Sequence, residues 1–268
     1  MIDLRCHVLD GIDYGPESFV GSVAMCRAAV VDGVKTLVAT PRWDAGRIEP
    51  PLSFKDCQGK LAHLEAELAG ALTLKLGFEL QFSLQLPELI ERYGSMLALG
   101  GKKHLLIALS ALRVPNEVEE VWREIAKQGF SVVVAQPECN AKLRRDPARV
   151  ARWVASGVTL QIDAASVAGA HGRDIRRFAL DCLRQYKGRA LVASNARGKE
   201  PRGNSLGKAR AELLAHMGAR PTEQLMRETP TSIISDEIVT SEKQGVFTRR
   251  LASLLNSFIP RSRLASER

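Results

Sequence analysis

Seven short apolar runs of strand type, separated by helix-length amphipathic stretches from one end of the chain to the other, leave few folds open. The runs fall at 2–9, 35–39, 72–80, 104–109, 131–135, 159–162 and 190–193, and helical patterns lie at 18–32, 53–70, 116–128, 147–156 and 172–187. Asn116 is placed to cap its helix, and Gly33, Gly129 and Gly157 stand where a helix ends. Strands that alternate with helices pair in parallel, because only a crossover helix returns the chain to the same edge. The sheet is then either open or closed into a barrel. The 268 residues suffice for one full core, and no linker, repeat or low-complexity stretch divides them.

Composition removes several functions. Aromatic residues are 5% of the chain, too few for a single-strand nucleic-acid stacking platform, and no nucleic-acid partner is expected. No apolar run approaches the eighteen residues that suggest a membrane span. The opening Met1-Ile2-Asp3-Leu4-Arg5 has no signal-peptide character, so a cytoplasmic location is expected. Five scattered cysteines fit reduced, buried thiols. The net charge of +8 favours acidic partners without naming one.

In parallel α/β folds the chemistry gathers where strand C-termini open into loops. Those junctions read Arg5-Cys6-His7, Ala39-Thr40-Pro41-Arg42-Trp43, Gly77-Phe78-Glu79-Leu80, Ile107-Ala108, Ala135-Gln136-Pro137-Glu138-Cys139 and Ser194-Asn195-Ala196-Arg197. Polar or charged groups at nearly every strand end imply a pocket.

Six motifs then occur in order. Met1-Ile2-Asp3 runs into Cys6-His7, Gly11-Ile12-Asp13 and Gly15-Pro16. Val38-Ala39-Thr40-Pro41, Gly77-x-Glu79, Pro137-Glu138, Ala168-Gly169-x-x-Gly172 and Ala193-Ser194-x-Ala196 follow. Over essentially its whole length the chain resembles the PHP-type (polymerase and histidinol phosphatase) bacterial tyrosine phosphatases of capsule and exopolysaccharide operons, the CpsB/YwqE family. The resemblance implies a distorted (β/α)7 barrel over 1–240, with a basic amphipathic C-terminal helix or tail at 241–268. It also implies a cluster of divalent metals, usually manganese, whose bound water attacks phosphotyrosine. The implied partner is the phosphotyrosine-bearing tail of a membrane tyrosine kinase of polysaccharide export.

The positions that the resemblance assigns to metal ligands are Arg5, His7, Arg42, Glu79, Ala108, Gln136, Asn195 and Arg197, and only His7 and Glu79 carry the family residue. Asp13 is kept, Tyr14 stands in place of its neighbouring acid, and Cys139 replaces a substrate-contacting arginine. Arginine has no lone pair to offer and stays protonated, alanine offers nothing, and amides are poor ligands for hard divalent ions. Two-metal hydrolysis needs both ions held with open positions for water and substrate. The expectation is therefore a metal-free pseudophosphatase with no cofactor, binding phosphorylated or acidic groups through Arg5, Arg42, Arg197 and Arg202. In the competing account these arginines only neutralise Glu79, Asp13 and Glu138. A third possibility is an active phosphatase using a reduced manganese site with His7, Glu79 and Asp13 as residual catalytic candidates.

Cys139 and Arg145 have the spacing of thiol phosphatases, but the intervening Asn-Ala-Lys-Leu-Arg contains no glycine to turn successive N–H groups toward phosphate. In the tail, Val246, Phe247, Leu251, Leu254, Leu255, Phe258 and Ile259 recur at helical spacing, with Arg249 and Arg250 off that stripe. The stripe suits a helix covering the barrel, or peripheral contact with an anionic membrane or a partner helix. Trp43 is a candidate for lining the pocket, whereas Trp122 and Trp153 are expected only to pack.

Overall fold

The computed structural model describes residues 1–44, 53–198 and 206–235. Nine parallel strands form among the described residues, against seven expected. They are β1 (Ile2–Cys6), β2 (Thr36–Ala39), β3 (Arg42–Asp44), β4 (Thr73–Leu76), β5 (Glu79–Gln81), β6 (His104–Ala108), β7 (Ser131–Ala135), β8 (Thr159–Asp163) and β9 (Ala190–Ala193). The expected run at 72–80 is split at Gly77-Phe78 into β4 and β5, and β3 is an additional strand that follows β2 across Thr40-Pro41, where proline has no N–H for the ladder. A Cβ on Gly77 would lie 2.9 Å from Leu99 Cα, so only glycine lets the 97–101 segment pack so closely against this break.

The breaks divide the ring into two sheets, β1-β2-β4 and β3-β5-β6-β7-β8-β9, with every pair parallel. The ring closes between β1 and the segment after β9. Cys6 bridges Ala196, His7 N donates to Ala196 O at 2.9 Å, and Asn195 N donates to Arg5 O at 2.9 Å. The result is a distorted β/α barrel.

Helices cover the outside. α1 (Phe19–Val31), α2 (Phe54–Leu68), α3 (Leu86–Tyr93), α4 (Val118–Lys127), α5 (Ala141–Arg145), α6 (Pro147–Ala155), α7 (Ala164–Val167), α8 (Arg173–Gln185) and α9 (Leu206–Met217) follow the strands in turn. Ser18, Ser53, Asn140 and Asp146 accept from first-turn N–H groups of α1, α2, α5 and α6. Asn116 does not cap α4: the helix begins one residue later, behind Glu117, which makes no side-chain cap bond.

Alternation along the strands sorts the interior from the outer layer. Leu105 and Ile107, Val132 and Val134, Leu160 and Ile162, and Ala190 and Val192 belong to the layer under the helices. Leu4, Val38, Leu106, Val133 and Leu191 form an inner cluster with Leu99, Ile233 and Ile234. Interior groups farther along the strands are polar, and they come from the C-terminal ends. The strand register slips between Asp3 and Cys6, and Arg5 reaches this polar layer as the immediate neighbour of interior Leu4. The apolar base is a well-packed support on which charged groups are mounted.

Candidate functional site

Arg5, at the end of β1, is fully buried. Its Nε donates to Glu79 Oε2 at 2.6 Å, and its Nη1 donates to Gln161 Oε1 at 3.1 Å and lies 3.6 Å from Asp163 Oδ1. Burial opposes charge on both partners of the Arg5–Glu79 pair. Their mutual attraction outweighs it, so the Glu79 carboxyl is held well below the usual range and the guanidinium pKa is raised.

His7 stands between two carboxylates. Nδ1 is 2.6 Å from Asp13 Oδ2 and Nε2 is 3.4 Å from Glu79 Oε2. Burial disfavours the imidazolium, yet Asp13 and Glu79 together raise the His7 pKa above its ordinary value. The same Asp13 oxygen accepts from Arg42 N at 3.0 Å, which pins the 7–18 loop against β3.

Asp163, at the C-terminal end of β8, gathers the amides. Gln136 and Asn195 both donate to Oδ2, Asn195 at 3.1 Å, while Gln161 donates to Oδ1 at 3.2 Å. Glu138 Oε1 accepts from Asp163 N at 2.9 Å and from the Ser166 hydroxyl at 2.8 Å. Burial, reinforced by the nearby Asp163 charge, pushes the Glu138 pKa above the carboxylate range. Three of the four non-glycine residues at positive φ among the described residues belong here: Asp13, Gln136 and Asn195, at 52°, 49° and 50°. Such backbone strain concentrates at functional sites, where the surroundings must hold it.

The expected arginines separate into two groups. Arg5 is engaged with Glu79 and Asp163 rather than turned outward to a ligand, because uncompensated buried carboxylates would be costly. Arg42 lies at the rim, donating through Nε to Asp44 at 3.3 Å, through Nη1 to the Tyr14 hydroxyl at 3.1 Å and through Nη2 to Gln81 at 2.8 Å. Arg197 places its guanidinium 4.3 Å from the Tyr14 ring centroid, and its buried Nε has no hydrogen-bond partner among the described residues. Arg5, Arg42, Arg197, Glu79, Gln136 and Cys139 line a cavity of about 100 Å³. Arg202 and the expected tail helix at 241–268 lie outside the described residues.

Other expectations change in detail. Among the described residues Glu138 forms no ion pair with a guanidinium, although its charge helps to raise the Arg5 pKa; Arg144 Nη1 donates to its backbone carbonyl at 2.7 Å. Trp43 does not line the pocket but is buried against Phe54, Phe78 and Tyr93. Trp122 and Trp153 pack edge to face on each other at 4.3 Å. Burial, with Glu138 and Asp163 nearby, pushes the Cys139 thiol up to about 12, and Asn140 already accepts from the first N–H groups of α5, so the Cys139–Arg145 spacing forms no thiolate phosphate loop. Asp163, Gln161 and Gln81 were not anticipated. Asp163 was accessible to the strand-end argument, since it closes the run at 159–162.

The donor set does not fit a cluster of divalent metals. At the eight positions implied by resemblance, His7 and Glu79 are the good ligands. Glu79 is already bonded to Arg5, and the amides of Gln136 and Asn195 turn their N–H groups to Asp163. Among the described residues no group of three or more His, Cys, Asp or Glu is placed to hold a metal ion. Nor is any described helix long and apolar enough to cross a membrane.

Residues 1–235 match the family model for capsular polysaccharide synthesis proteins of the CpsB/CapC type. The tyrosine-protein phosphatase YwqE of Bacillus subtilis is 26% identical over 252 residues, covering 94% of this chain and 98% of its own. The tyrosine-protein phosphatase CpsB of Streptococcus pneumoniae is 24% identical over 245 residues, covering 89% of this chain and 100% of its own. A solved structure from work on these two proteins, described as unique metal-dependent tyrosine phosphatases, superposes with a TM-score of 0.78 at 24% identity. It covers 89% of this chain and 96% of the other. The fold is therefore the distorted PHP-type barrel.

Proposed function

The chain belongs to the CpsB/CapC family of capsular polysaccharide synthesis proteins, and from this membership and the site geometry we propose that it is a non-hydrolytic, metal-independent member that binds phosphate or carboxylate groups. The observation that carries the reading is the Arg5–Glu79 bond of 2.6 Å. A guanidinium permanently attached to β1 neutralises the carboxylate that would otherwise be a metal ligand, and it brings no open coordination position for water or substrate. Arg42 and Arg197, which line the cavity, supply the anion-binding surface. The protein's setting is the cytoplasmic control of capsule or exopolysaccharide synthesis, where it takes a phosphorylated or acidic group as its ligand. We further assign 1–240 to the barrel and 241–268 to a basic tail suited to covering it or to peripheral membrane contact.

The relatives' description as metal-dependent tyrosine phosphatases favours a second reading, a phosphotyrosine hydrolase using the manganese that the resemblance implies, which on this chain would rest on His7, Asp13 and Glu79. One experiment separates the two. Protein expressed and dialysed with manganese is assayed for metal content and for hydrolysis of an aryl phosphate, alongside His7→Ala and Glu79→Gln. The proposal expects substoichiometric metal and no turnover above background in any of the three proteins. Manganese-dependent turnover by the native chain that disappears in both variants establishes the hydrolase instead.

A further inference from the structure

Tyr14 meets three of the site's side chains at once, two of them the arginines Arg42 and Arg197 that line the cavity. Its hydroxyl is 3.1 Å from Arg42 Nη1, its ring lies 4.3 Å from the Arg197 guanidinium, and its edge meets the His7 ring at 86° and 5.4 Å. Guanidinium planes are the natural stacking partners of an aromatic group that enters with a phosphate. At Arg197 the chain's own phenol ring already takes that place, and its hydroxyl already occupies one donor of Arg42. The cavity that these arginines line measures about 100 Å³, below the ~300 Å³ at which sites for larger organic ligands begin. Charge invites an oxyanion, while the resident ring holds the stacking place that an aromatic carrier would take.

We propose that Tyr14 makes this a site for small oxyanions, free or carried on an alkyl stem, and shuts out aryl phosphates. The inference rests on the anion-receptor reading above and narrows the bearer of the group. Free phosphate and alkyl phosphate share the chemistry that Arg42 and Arg197 recognise. An aryl phosphate must first displace Tyr14, losing its contacts with Arg42, Arg197 and His7.

The test is isothermal titration calorimetry of the full chain at low salt with inorganic phosphate, O-phosphoserine and O-phosphotyrosine. Native protein is expected to bind at least one of the first two, and phosphotyrosine about tenfold more weakly or worse. Saturation by inorganic phosphate identifies free anion as sufficient, whereas saturation by phosphoserine alone identifies the alkyl stem as required; both support the proposal. Tyr14→Ala should raise the ratio of phosphotyrosine affinity to small-anion affinity about tenfold, with circular dichroism reporting an intact fold. Tyr14→Phe keeps the ring and should keep the exclusion. Native protein that binds phosphotyrosine as tightly as the small anions, or a Tyr14→Ala variant that binds the small anion but gains nothing for phosphotyrosine, overturns the role of Tyr14 while leaving the receptor intact. Binding of none of the three by native protein overturns the receptor reading, and this proposal with it.

Discussion

Replacing Arg5 by methionine, which keeps much of the side-chain volume and removes the charge, tests the central arrangement of the barrel. Glu79 would then keep His7 as a neighbour but lose the guanidinium that holds its pKa down, inside a layer where both original side chains are at most 3% exposed. Breaking a buried pair from one side costs about 3–5 kcal/mol, because the remaining charge stays desolvated. At ~2–4 °C per kcal/mol for a chain of this size, melting should fall by roughly 10 °C. The pH dependence has a definite sign. Glu79 is depressed by Arg5, so the stability supplied by the pair is present above the ordinary glutamate pKa and is lost as pH falls through the depressed native value. In Arg5→Met the carboxyl titrates higher, so native and variant proteins should differ most at neutral pH and converge toward acid. Urea unfolding followed by circular dichroism at neutral and mildly acidic pH reads both effects. The double variant Arg5→Met/Glu79→Gln should recover much of the loss, with a coupling energy of about 2 kcal/mol or more. A single-variant loss below about 1 kcal/mol, or a strictly additive double variant, would refute the claim that the pair is mutually dependent.

Asp3 offers the opposite sign. Burial raises its pKa to about 6 from 3.8, so its protonated form is favoured in the fold and stability falls as pH rises from about 4 through about 6. Asp3→Asn keeps an acceptor for Ser194 N and Arg5 N and should stabilise the protein at pH 8 by up to about 3 kcal/mol; a destabilised variant there would count against burial as the cause. Glu119 is held down to about 2 chiefly by Arg149, with Trp153 assisting, but its side chain is 42% exposed. Glu119→Gln should therefore cost no more than about 1 kcal/mol at neutral pH, and the native advantage should vanish as pH falls from about 4.5 toward 2 in an acid-unfolding series. Cys139 should resist iodoacetamide at pH 8 in folded protein and react after unfolding, as followed by mass spectrometry; alkylation of the folded protein at a free-thiol rate would contradict its raised pKa.

Much of this architecture was legible because backbone pairing and alternation are written in residue type. The run at 131–135 became β7 with the expected bounds, since four consecutive apolar residues suit a parallel strand buried on both faces. The split at Gly77-Phe78 was not read, although a glycine marked it, because a continuous apolar run outweighed its punctuation, and the three-residue β3 beyond Thr40-Pro41 is too short to carry a pattern. At the site, the strand-end argument found Arg5, Glu79, Gln136 and Asn195, whose positions follow from topology. Their partners were less accessible. Whether Arg5 faces a ligand or Glu79 depends on a local register slip in β1, and Tyr14 between two arginines depends on the path of a loop. Neither has a periodic signature. Asp163 was missed because the strand was ended one residue early.

A resident metal ion is shared with the medium: chelators withdraw it, shortage leaves the protein without it, and a competing ion can take its place. The Arg5 cation is made by the ribosome and arrives with every copy of the barrel in a fixed ratio of one to one. Its charge cannot be withdrawn by a chelator or exchanged for another element, and no working pH discharges it. Shortage of an ion empties a metal site, while the Arg5 charge in this barrel stays where the chain places it.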